Sequence, residues 1–177
     1  MSIWKRVGNI IKSNKEEPPV NASNPVEETQ VGDIINVDLE EYVVSGKLTY
    51  FDRGFPPHRY AYYLQNGNSF ACLLVEKGRT YECFLCQFVE GSLDSPHDVP
   101  TELDLDGEAT FQLENHRSDM VRADGHTDFR GNDELMIWRY FGPDGRYFFL
   151  QWQDGKFIAM EGSKTPVGQI KFIKGSR

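Results

Sequence analysis

Two imidazoles and several carboxylates stand close together in one polar stretch of this chain. His116, Asp119, Asp124, His126 and Asp128 all fall between residues 116 and 133. Two histidines with carboxylates could hold a divalent ion, or bind and polarise a small ligand. His116, Asp119, Asp124 and His126 are therefore the candidate ligand site. Their spacing matches no metal or catalytic motif, and no resident metal, cofactor or catalytic residue is expected. A long polar loop between strands would give the same composition, and long loops inside compact domains are often functional. His58 follows Phe55-Pro56-Pro57 and reads as the start of a strand, and His97 reads as part of a structural loop.

Cys83-Phe84-Leu85-Cys86 has the spacing of a zinc or redox pair. Either use needs a second ligand pair or a helix N-terminus to stabilise thiolate, and neither is evident. Residues three apart on a strand point to opposite faces, so these thiols are expected to be structural. Three cysteines, an odd number, point to a reducing compartment. Nothing resembles a phosphate-binding glycine loop, a nucleophile elbow or a zinc-protease helix.

The other chemistry-bearing segment is the first fifteen residues. Wound as a helix, Ile3, Trp4, Val7, Ile10 and Ile11 share an arc of about 120°. Lys5 and Lys12 face away, and Arg6 and Lys15 flank the arc. The segment holds four of the nineteen basic residues and none of the 27 acidic ones, in a chain of net charge −8. A basic amphipathic stripe on an acidic protein suits an anionic membrane surface or a protein groove. The overall charge argues against nucleic acid as a partner. No run of about 18 apolar residues could span a bilayer as a helix, and no secretory signal is recognised.

These segments must be positioned by the rest of the chain. Residues 16–30 hold three prolines, four glutamates and no aromatic residue, which reads as a flexible linker. From residue 31 the apolar pattern has period two. Thr101 to Leu105 and Glu108 to Glu114 alternate about Asp106-Gly107, a hairpin signal with a two-residue type I′ turn. Phe70 to Val75 is apolar on both faces, as in a central strand. About ten strands separated by Asn-Gly, Lys-Gly and Asp-Gly turns predict an all-β fold, an antiparallel barrel or sandwich. Tyr62 to Gly67 followed by Phe70 to Val75 resembles Tyr140 to Gly145 followed by Tyr147 to Trp152. Two related β-meanders, with halves 31–98 and 99–177, would account for the length. The expected organisation is a short amphipathic helix at 1–15, a linker at 16–30 and an all-β domain at 31–177.

Val31-Gly32-Asp33, the Tyr60-Ala61-Tyr62-Tyr63-Leu64 strand, the Leu135 to Tyr140 strand and the Asp-Gly turns resemble a bacterial family, domain of unknown function 4178. The resemblance runs from Val31 to Phe172. It implies a β-rich cytoplasmic domain, in a context of envelope-stress or polyamine-related neighbours, and it transfers no catalytic residue. The expected function is a non-enzymatic accessory or adaptor module, held reversibly at the cytoplasmic membrane face and recruiting an unknown protein partner. One alternative is a small-ligand or metal-binding protein or enzyme using the 116–133 stretch. Another is a subunit docked into an assembly through its N-terminal helix.

Overall fold

The computed structural model describes residues 24–91, 93–105 and 107–175. The N-terminal helix expected at 1–15, with Ile3, Trp4, Lys5, Arg6, Val7, Ile10, Ile11, Lys12 and Lys15, lies outside the described residues, as does the linker through residue 23.

Period-two alternation becomes eleven antiparallel strands. They are β1 (Ile34–Val37), β2 (Glu40–Phe51), β3 (Arg59–Asn66), β4 (Ser69–Lys77), β5 (Tyr81–Val89), β6 (Glu102–Leu105), β7 (Ala109–Gly125), β8 (Asp133–Phe141), β9 (Arg146–Gln153), β10 (Lys156–Thr165) and β11 (Lys171–Ile173). Their order is β11-β1-β2-β3-β4-β5-β10-β9-β8-β7-β6, and β2 also pairs with β7. That extra pairing joins β2–β5 to β7–β10 as a closed eight-stranded barrel, which removes the sheet edges a sandwich would leave. β1, β6 and β11 lie outside the ring.

Alternate residues fill the lumen, among them Leu48, Tyr50, Leu74, Phe84, Phe149 and Met160. Side chains on the other face build two outer apolar layers. One covers β2–β5 beneath β1 and β11, and the other covers β7–β10 beneath β6 and the crossover after β5. The expected central strand is borne out, with Ala71 to Val75 buried on both faces.

The two halves share one register. Val44 pairs with Leu64 just before a bulge, and Leu113 pairs with Tyr140 just before another. Aligning those bulges lays β1 on β6 residue for residue, and the Cys72–Cys86 pair on Phe149–Met160. The halves are thus related by a pseudo-two-fold axis through the Phe51–Met120 and Gln87–Glu161 pairs, exchanging the two ends of the barrel. The register places Tyr62 on Trp138, two residues away from the match read from the turns. The difference arises because the β8–β9 connection is longer than the one between β3 and β4.

Three local expectations change. The β6–β7 hairpin forms, but Leu105 pairs with Ala109, so its loop has three residues rather than two. Residues 116–125 belong to β7 and not to a loop. The end of the expected linker is ordered: Asn24 caps a single turn, α1 (Pro25–Glu28), and Val26 is buried on the barrel.

Candidate functional site

The four predicted site residues are not brought together. β7 sends Arg117, Asp119 and Val121 inward and the residues between them outward. His116 stacks on Trp138 on the outer surface, with centroids 4.7 Å apart. Asp124 is exposed beside Lys47. Asp119 is buried near one end of the lumen, and His126 lies beyond the other end of β7.

Charge closes the end at Asp119. Its Oδ2 accepts from Arg59 Nη1 at 3.1 Å, and its Oδ1 from Arg117 Nη2 at 3.1 Å. His58 Nε2 lies 3.1 Å from the same Oδ1. Arg117 also reaches Asp52, Arg59 reaches Glu76 at 3.2 Å, and Arg139 reaches Glu76 at 2.6 Å and Glu114 at 2.8 Å. Glu82 pairs with Lys164 at 3.0 Å. Burial alone would raise the Asp119 pKa. The hydrogen bonds from His58 and Arg117 and the charges of His58 and Arg59 outweigh it, leaving the pKa below the ordinary value. Asp52, His58 and Asp119 offer three ligand atoms within 4.8 Å of one another, the spacing a metal ion needs. Arg117 already bridges both carboxylates, so a dication there would meet a guanidinium in its place. The arrangement is a structural plug.

The opposite end is open. A cavity of about 460 Å³ enters the barrel mouth, walled by Tyr63, Phe70, Phe88 and Ile158, with Ser45, His126 and Asp128 among its polar groups. The Tyr63 and Phe88 rings lie nearly parallel, 6.1 Å apart. The β7–β8 loop folds across this end. Phe129 is buried in the lumen, and Gln153 holds Arg130 by two hydrogen bonds, accepting from its N–H at 2.7 Å and donating to its carbonyl at 2.8 Å. His126 N–H donates to the Ser45 carbonyl at 2.9 Å. This approach requires Gly46, where a Cβ would lie 1.9 Å from the His126 carbonyl oxygen.

The cysteines play no part in either end. Cys83 belongs to an outer layer while Cys72 and Cys86 face each other inside, as alternation predicts for the Cys-x-x-Cys spacing. Burial pushes all three thiols up, Cys83 to about 11, which opposes thiolate chemistry.

A family described as Domain of unknown function (DUF4178) matches residues 30–167. The chain belongs to this family. Comparison with curated proteins and with solved structures gives no match. The matched span holds β1–β10 and therefore both ends of this DUF4178 barrel.

The pseudo-two-fold axis shows why only one end is open. Tyr63 corresponds to Arg139, Phe70 to Tyr147, Ile158 to Phe84 and Ser45 to Glu114. At the closed end the Arg139 guanidinium lies 6.0 Å and 5.9 Å from the Phe84 and Tyr147 ring centroids. One topological position thus holds a filling cation at one end and a cavity wall at the other. Reasoning from sequence found His126 but missed Tyr63, Phe70, Phe88 and Ile158, because alternation marks them only as strand residues. His58 was read as a strand start and stands one residue before β3, but its partner lies 61 residues away.

Proposed function

We propose that this domain is a ligand-binding barrel, taking a small, mostly apolar molecule into its open mouth. The cavity at that mouth carries the reading. Eight-stranded barrels have room for one small ligand, and barrel mouths are favoured places for such sites. The cavity walls are aromatic and aliphatic, with three polar side chains to fix orientation. The opposite end is sealed by ion pairs, so a ligand has one way in and out. Of the functions expected from sequence, this is the small-ligand alternative, with His126 and Asp128 supplied by the predicted stretch. Ser45 Oγ donates to the Tyr63 carbonyl at 3.3 Å, which fixes its place in the wall.

The test is titration of the full chain with a neutral naphthyl fluorophore that brightens in apolar surroundings. The parent should bind it saturably. Phe70 is 55% exposed, so Phe70→Asp should leave the fold intact while putting an unpaired charge in the wall. That variant should weaken binding by about tenfold or more, a change of about 1.4 kcal/mol. A parent that does not bind, or a variant that binds equally well, removes the mouth as the site. We also propose that residues 2–15 face an anionic membrane surface, on the basic amphipathic pattern of their sequence.

A further inference from the structure

We infer that the ligand of the open mouth carries one positive charge on an apolar body, an inference that rests on the reading of the mouth as a ligand site. Asp128 supplies the first observation. It is the one carboxylate among the described residues lining the cavity, and no lysine or arginine lines it. Among the described residues its ion-pair partner is Lys156, whose Nζ lies 3.8 Å from Asp128 Oδ1 and whose side chain is 53% exposed. A pair that long and that wet contributes little and yields readily to a closer cation.

The walls supply the second observation. Tyr63, Phe70 and Phe88 put three aromatic rings in the wall, and aromatic faces attract ammonium groups and repel carboxylates. The field of Asp128 also reaches inward: after burial, the larger cause, its charge adds to the raised pKa values of Tyr50, Tyr63 and Cys72. A fatty acid would therefore bring a second negative charge to a site already holding one. A linear polyamine would fare no better, since each ammonium beyond the first would be desolvated against rings without a carboxylate. An apolar monocation satisfies both the wall and the carboxylate.

The experiment is displacement of the neutral naphthyl fluorophore from the full chain by molecules of equal chain length, decyltrimethylammonium, decanol and decanoate, with a linear polyamine as a further arm. The ammonium should displace the probe at about one-tenth the concentration that decanoate requires, with decanol between them and the polyamine inactive. Asp128→Asn should keep probe binding and erase the preference. Glu108→Gln, on the β6–β7 turn, removes the same net charge and should preserve it, separating a local contact from general attraction to an acidic protein. Equal displacement by ammonium and carboxylate, stronger displacement by the polyamine, or a preference that survives Asp128→Asn would each overturn the inference while leaving the mouth as a site. A parent that never binds the probe would overturn the site itself and this inference with it.

Discussion

Asp119 shows what a single residue contributes here and how far sequence could read it. Its carboxylate is fully enclosed and meets Arg59, Arg117 and His58. Because its folded pKa lies below the ordinary aspartate value, the folded state binds its proton less readily than the unfolded chain does. The resulting stability is fully present above the unfolded value of about 3.9 and is lost as pH falls through the folded value. Asp119→Asn should therefore cost about 3 kcal/mol near neutrality, where it leaves Arg59 facing Glu76 alone. It should also remove that part of the acid-side decline, both measured by urea unfolding from neutral to acid pH. A loss below about 0.5 kcal/mol, the scale of an exposed pair, would show that the plug is not structural. The residue was legible as chemistry but its partners were not. His116 and Asp124 share its sequence neighbourhood, yet strand alternation turns them outward. Arg117 is two residues away on β7, while Arg59 and His58 come from β3 and the β2–β3 loop and are brought near by closure of the barrel.

At the scale of elements, turns were read well and the linker only in part. Asp154 and Gly155 both adopt positive φ between paired Gln153 and Lys156, as a tight hairpin demands. Residues 24–30 look unable to order themselves. Their order comes from elsewhere in the chain. Lys47 Nζ donates to the Glu27 and Thr29 carbonyls at 2.5 and 2.8 Å, capping the end of α1. Tyr62 Oη donates to the Val26 carbonyl at 2.6 Å, and Lys77 pairs with Glu27 at 2.7 Å. Burial pulls the Lys47 pKa down, partly offset by Asp124, so the ammonium is held where desolvation works against it. Lys47→Met keeps a comparable stem over the Tyr60 and Tyr62 rings but removes both capping bonds. At about 1 kcal/mol for each bond, amide exchange across Val26–Thr29 should quicken by about tenfold or more. Protection in β3 and β4 should hold. Equal protection of Val26–Thr29 in both proteins would mean that the aromatic face alone holds the segment.

For the whole molecule, alternation and turn spacing revealed an all-β chain, while the order of the strands was hidden. Nothing in β2 or β7 announces that they pair, because both are long polar-apolar runs and their partners lie about 70 to 80 positions apart. The charge distribution was visible from the start, and it yields the last prediction. Residues 16–177 carry fifteen basic and 27 acidic residues, so an anionic surface repels this body as a whole. Lys5, Arg6, Lys12 and Lys15 then have to supply the attraction, at about 1 kcal/mol each close to such a surface. The apolar stripe of Ile3, Trp4, Val7, Ile10 and Ile11 adds to it. The full chain should sediment with vesicles of mixed phosphatidylglycerol and phosphatidylcholine, and release as salt rises. Changing all four cations to glutamine should abolish sedimentation at moderate salt, yet leave fluorophore binding unchanged, since barrel residues line the mouth. Sedimentation of the quadruple variant as complete as the parent's would exclude lipid electrostatics and turn attention to a protein groove as the partner of this stripe.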